Sequence, residues 1–311
     1  MRMPSWAGAL ALFFLAGGSI AALLADVFGI APMHLVFWLA SVPSMLLLAM
    51  LGSLSKVGGE WRDRIRVGAL GGLAGTLGYD LVRIPFAVAG QRVFAPIESY
   101  GILIADASAS SALTTTLGWL YHFSNGVTFG IAFAAVAARR RWAWGVLWGL
   151  VLESAALFSP FGVRYNIAGQ AGPIAIAYGA HVAYGYPLGR IVQNFDAVRA
   201  RIGRFTVTVV LSLSAVFLLG WLRPWDGPAV PGPVAVVTRD RFEPEWLRIE
   251  AGQCVTVENR SGTRFETIHG EVAATGSSRL CFARAGVYRV KLGPRPYSGG
   301  FIYVNNIVVG R

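Results

Sequence analysis

Seven side chains in otherwise apolar surroundings have the types and spacing for chemistry. Asp80 and Arg83 stand three apart, as do His122 and Asn125, and again His181 and Tyr184; Glu153 stands alone. Residues three apart share a helix face, so each pair can act at one place. Two neutral imidazoles from different segments suit haem iron, copper or zinc. Glu153 could add an oxygen ligand or relay protons. Alternatively, Asp80 and Arg83 form a structural ion pair while the histidines hydrogen-bond between helices, or the group walls a pocket for a small solute. The residues alone leave all three readings open.

The elements that must position these groups read as membrane helices. The chain is 55% hydrophobic and 14% charged, where a soluble domain carries about 25% charged residues. Seven segments approach the roughly 20 apolar residues a span requires: 6–28, 34–54, 67–89, 111–138, 142–161, 172–192 and 205–222. The first has too long an apolar stretch and too thin a basic flank for a cleaved signal peptide, and is read as a span. Residues 94–109, with Pro96, Glu98 and Asp106, are too short to cross and are expected to form an interfacial or re-entrant piece. Counted at about 1.5 Å per residue, the candidate groups fall at mid-membrane or slightly outside it. They are expected to meet in one pocket opening outward. Ionisable groups at that depth are costly and are functional candidates by default. Glycine pairs four apart (Gly68 and Gly72, Gly71 and Gly75, Gly126 and Gly130, Gly145 and Gly149) are expected to let helices of this one chain approach closely.

The net charge of +11 does not point to nucleic acid, because the arginines lie in short connections between apolar runs. Arg62, Arg64, Arg66, Arg139, Arg140, Arg141, Arg190, Arg199 and Arg201 share one set of ends, and only Arg92 and Arg164 fall on the other before the last span. The positive-inside rule then predicts a bacterial-type inner membrane protein in the lipid bilayer, with its N-terminus cytoplasmic and its C-terminus outside.

The expected organisation is a polytopic α-helical membrane bundle over residues 1–223, a Pro/Gly-rich tether over 224–233 and an all-β domain over 234–311. Short alternating runs at 234–238, 246–249, 254–258, 279–283, 287–292 and 301–309 predict a small antiparallel sandwich. Cys254 is out of phase with Val255 and Val257, and Cys281 with Leu280 and Phe282. Both cysteines are therefore expected off the core face, where they can meet across neighbouring strands. An exported domain favours a structural disulfide between them, with a redox-active pair as the alternative.

The stretch Arg241-Phe-Glu-Pro-Glu-Trp-Leu-Arg-Ile-Glu-Ala-Gly-Gln-Cys-Val-Thr-Val-Glu-Asn259 resembles the opening of a cupredoxin domain. Phe282-Ala-Arg-Ala-Gly-Val-Tyr288 resembles that family's Phe-x-x-x-Gly-x-Tyr corner, and Gly300-Phe-Ile-Tyr-Val304 its closing strand. The likeness covers about a quarter of the chain and implies a cupredoxin-like sandwich. The family's type-1 copper ligands do not carry over. Leu292 stands near the cysteine position, 294–300 holds neither His nor Met, and His269 comes late as, at most, an accessory ligand. A blue-copper centre needs a thiolate and two imidazoles, so type-1 copper is expected to be absent. The helical part resembles only uncharacterised bacterial multi-span proteins that share the Gly-x-His-x-x-Tyr-Gly run at 179–185, a likeness that implies no activity.

No P-loop, zincin motif or nucleophile elbow is visible. The first functional expectation is therefore non-enzymatic: a membrane protein whose outer β-domain is a binding or assembly module, docked on the bundle or on another membrane or periplasmic protein. The rivals are a redox or metal-handling protein holding haem or copper through His122 and His181, and a small-solute transporter.

Overall fold

A computed structural model describes residues 6–53, 59–202, 233–239, 241–292 and 299–305. The expected span at 205–222 and all but the last residue of the tether lie outside these. The helical part runs α1 (Trp6–Gly17), α2 (Ala21–Val27), α3 (Met33–Val36), a π-helical turn (Phe37–Ser41) and α4 (Val42–Ser53). It continues with α5 (Gly59–Val88), α6 (Ala95–Ala105), α7 (Ala112–Ala137), α8 (Ala143–Phe158), α9 (Pro160–Arg164), α10 (Ala171–Gln193) and α11 (Phe195–Arg201).

Seven spans are not what length and composition give. Among the described residues, Met33–Ser53 and Ala112–Ala137 are long and apolar enough to cross a membrane, and α1 with α2, bent by 60°, makes a third at most. The 30-residue α5 carries Glu60, Arg62, Asp63, Arg64, Arg66, Asp80 and Arg83. Helix α8 has only 16 residues, and α10 is rich in glycine, tyrosine and histidine. The piece at 94–109, too short to cross as expected, centres on α6, whose Ile97, Tyr100, Ile102, Leu103 and Ile104 are buried in the interior.

Helices α5, α7, α8 and α10 approach so closely that side chains are excluded. A Cβ on Gly72 would collide with the Gly126 carbonyl oxygen, and one on Gly149 with the His181 carbonyl oxygen. The glycine spacing thus sets α5 against α7 and α8 against α10, which brings four helices bearing the candidate groups within side-chain reach. One end of the bundle gathers charge: Arg139 donates to Glu60 (3.0 Å) and to Asp196 (2.9 Å), and Arg199 approaches Asp63 (3.5 Å). The bond from Arg139 holds the Asp196 carboxyl below the usual carboxylate range.

The β-domain has strands β1 (Val234–Thr238), β2 (Arg241–Glu250), β3 (Cys254–Asn259), β4 (Phe265–Thr267), β5 (Gly270–Val272), β6 (Gly276–Cys281), β7 (Gly286–Val290) and β8 (Gly299–Asn305). Six of them form one curled sheet in the order β6-β3-β1-β2-β8-β7, and β4 pairs with β5. The sheet is mixed, not antiparallel, because β1–β3 and β2–β8 run parallel. Alternation places Val255, Val257, Leu280, Ile302 and Val304 in the core. Cys254 and Cys281 stand opposite each other in the β3–β6 register and are joined as a disulfide.

The two parts are docked. β1 pairs with β2 only at its first residues, 241–243. Beyond them the open edge of β2 takes residues 108–110 of the helical part: Arg248 N donates to Ser108 O (2.8 Å) and Ser110 N to Trp246 O (2.9 Å). Trp246 stacks on Phe301 at 4.5 Å and donates its indole N–H to Glu98 (2.8 Å). Both rings share an apolar cluster with Val27, Met33, Leu103 and Tyr121. Within this interface Arg164 donates to Asp26 Oδ2 and to the Tyr303 hydroxyl, both at 2.6 Å, and Tyr303 donates to the same Asp26 oxygen at 2.9 Å.

Candidate functional site

A cavity of about 290 Å³ lies among α2, α5, α7, α8 and α10. Leu23, Leu24, Phe129, Leu152 and Phe161 give it mainly apolar walls, and Tyr79, His122, Asn125, Glu153, His181 and Tyr184 form its polar side. Five of the seven residues singled out in the sequence therefore line one space. The other two, Asp80 and Arg83, stand behind that wall.

Each imidazole is held by a carboxylate from a neighbouring helix. His122 Nε2 lies 3.0 and 3.2 Å from the two Asp80 oxygens. His181 Nδ1 lies 2.9 Å from Glu153 Oε2 and 3.0 Å from Ala177 O. Asp80 and Glu153 are buried, and a buried carboxylate is tolerated only with such partners. Carboxylate and carbonyl oxygens accept, so these ring nitrogens carry the proton whichever charge state the ring adopts. In the neutral ring the second nitrogen, Nδ1 of His122 and Nε2 of His181, is then an acceptor.

The expected Asp80–Arg83 ion pair does not form: Asp80 accepts from His122, and Arg83 stacks instead on Tyr79 and Phe94, at 4.7 and 4.6 Å from the ring centroids. Tyr79 touches both imidazoles, with centroid distances of 5.7 Å to His122 and 4.9 Å to His181. Tyr184 lines the cavity with its ring while its hydroxyl donates to Gly126 O (2.7 Å), tying α10 to α7. Asn125 Oδ1 is buried with no hydrogen-bond partner.

Among the described residues, no group of three or more His, Cys, Asp or Glu is placed to hold a metal ion. His122 and His181 each turn one ring nitrogen to a carboxylate of their own. In the β-domain, Leu292 is core. His269 is half-buried against Phe282 and Tyr288, with its Nε2 unpartnered, and burial lowers its pKa.

Spacing did not single out Tyr79, Asp26 or Tyr303. For Tyr79 the available signal was its place beside Asp80 and one helical turn before Arg83. For Asp26 it was an acid inside an apolar run, the same signal that picked Glu153. Tyr303 carried none, since its partners lie far away in sequence. The chain matches no protein-family model, no curated protein and no solved structure.

Proposed function

We propose that this is a multi-pass integral membrane protein that binds a small molecule inside its helical bundle, under a β-domain fixed to one end as an assembly module. The reading includes a bacterial-type inner membrane, a cytoplasmic N-terminus and an external β-domain with a cupredoxin-like fold. Membrane embedding of the less apolar helices is supported by their inverted burial. Helix α5 buries Asp80 and Arg83 while exposing Leu77, Leu81 and Val88, and α8 buries Glu153 while exposing Leu147, Val151 and Phe158. Exposed apolar surface on this scale calls for a cover, and lipid supplies one. The orientation is supported by the arginine-rich end lying away from the β-domain contacts of Arg92 and Arg164.

One observation carries the binding role. Two carboxylate-held imidazoles, Glu153 and the Asn125 side chain meet at a single, mainly apolar cavity. The test is a melting screen of the detergent-purified chain against small amphipathic molecules. A ligand at 100 times its Kd adds about 2.7 kcal/mol. A binder should raise the melting temperature of the wild type and not of Ala156→Trp, which fills the cavity. Stabilisation that persists in Ala156→Trp, or no binder among ligands of fitting size, overturns the reading.

A further inference from the structure

The polar wall holds an unequal number of charges, and the imbalance bears on the occupant; this step rests on the pocket reading above. Asp80 and Glu153 are buried carboxylates, and Arg83 is a buried guanidinium. Tyr79 joins them into one group. Arg83 lies over its ring at 4.7 Å, and the ring touches His122, the partner of Asp80, and His181, the partner of Glu153. Two carboxylates against one guanidinium leave one negative charge in excess when both imidazoles are neutral. One imidazolium cancels the excess, and two overshoot it. Burial penalises any uncompensated charge, so the group rests with one added positive charge, whichever ring or molecule carries it.

The other titratable side chains nearby do not supply that charge. Tyr79, Tyr100, Tyr121, Tyr178 and Tyr184 are phenols, and Asp26 on α2 is taken up by Arg164. The carrier is then a proton on an imidazole or a cation in the cavity. Glu153 is the carboxylate that lines the cavity. The walls suit an organic cation: Tyr79, Tyr100, Phe129, Phe161 and Tyr184 line them, and aromatic faces attract a desolvated ammonium group. A small metal cation wants several oxygen ligands, and among the described residues no group of three or more His, Cys, Asp or Glu gathers to hold one. The volume of about 290 Å³ is roughly twice that of an apolar cavity known to take one benzene ring, about 150 Å³. One ring with a substituted ammonium fits.

We propose that the cavity takes an organic monocation, an ammonium group on a one-ring body, and that its binding beside Glu153 displaces one proton from the His181 imidazolium to solvent. One positive charge enters as one proton leaves, so the buried group stays neutral throughout.

The experiment uses the full chain in detergent with benzyltrimethylammonium and its uncharged isostere, neopentylbenzene. The quaternary nitrogen carries a fixed charge, so any pH dependence belongs to the protein. Binding is read by calorimetry and by melting between about pH 5 and pH 9, a range that spans the ordinary imidazole titration. The cation should bind about tenfold tighter than the isostere. Its affinity should rise with pH, by up to about tenfold per unit, and buffers of different ionisation enthalpy should report a proton released over the rising range. Glu153→Gln keeps an acceptor for the His181 ring N–H but removes the charge; it should lose the preference for the cation and the pH dependence together. If that variant does not fold, the wild-type pH profile decides. Cation affinity that is flat across the range overturns the exchange. A cation preference that survives in a folded Glu153→Gln overturns the role of Glu153. Equal binding of both probes, abolished by Ala156→Trp, overturns the charge requirement and leaves the pocket standing. If neither probe binds, the pocket reading falls as well.

Discussion

Replacing His122 with leucine strands the Asp80 carboxylate among packed helices, and the size of the damage tests whether the two form a working pair. Asp80 is 9% exposed, and both of its oxygens lie within 3.2 Å of His122 Nε2. Removing the partner of a buried charge costs about 3–5 kcal/mol, because the charge is left uncompensated, whereas replacing both groups with apolar ones is often near neutral. His122→Leu should therefore lose about 3–5 kcal/mol. Asp80→Leu, which leaves only an unpaired ring N–H, should lose about 1–3 kcal/mol. The double variant should lie within about 1 kcal/mol of the wild type. The assay is reversible unfolding by SDS in mixed micelles, followed through tryptophan fluorescence, since Trp119 packs edge-on to His122 at 5.8 Å. Losses that simply add, with coupling below about 0.5 kcal/mol, would refute the pairing and return Asp80 to Arg83 or to solvent.

Three further outcomes follow from the β-domain. The disulfide closes a separation of 27 residues, and the chain-entropy relation then gives about 3.5 kcal/mol at 25 °C. Cys254→Ala with Cys281→Ala should lower β-domain stability by roughly that amount in urea melts, and a loss under about 1 kcal/mol would reject the reasoning. His269 has its pKa lowered by burial, so as pH falls the unfolded chain takes up that proton first. Stability should decline as pH drops below the ordinary value of about 6.5, and His269→Phe should flatten the decline; an unchanged pH profile would contradict this. Tyr303→Phe removes the donor to Asp26 and an acceptor for Arg164. It should cost about 1.5–3 kcal/mol and speed protease release of the β-domain, and an unaltered cleavage rate would argue that the triad does not hold the interface.

Much of this arrangement was legible and some was not, for identifiable reasons. Helical spacing puts His122 with Asn125 on one face and His181 with Tyr184 on another, and all four line the cavity. Spacing along one helix cannot see a neighbouring helix, however, so it matched Asp80 with Arg83, its partner three residues on. In the structure an imidazole from α7 reaches the carboxylate, and the longer Arg83 side chain lies across aromatic faces. Counting apolar stretches along the chain gave seven spans, but α8 closes after 16 residues and α5 carries four arginines and three acids along its length, so neither is long and apolar enough to be counted. In the β-domain, alternation placed Val255, Val257 and Leu280 correctly, but it says nothing of strand order. β1 lies between β2 and β3, which makes β1–β3 parallel, and the three-residue strands β4 and β5 are too short to alternate.

The contrast between two kinds of buried charge argues for the cavity as the working part of the molecule. Asp26 and Arg164 are saturated: the guanidinium meets Asp26 Oδ2, the Tyr303 hydroxyl and the backbone oxygens of Asp26 and Val27. Such a network fixes where the β-domain sits and fits the assembly role proposed for it. The pairs Asp80–His122 and Glu153–His181 are built differently. Each uses a carboxylate to fix one ring nitrogen while the ring itself forms part of a cavity wall. Apolar residues of similar volume would serve stability as well or better. What they would not supply is two oriented imidazoles in one apolar space, with the proton of each held on the carboxylate side.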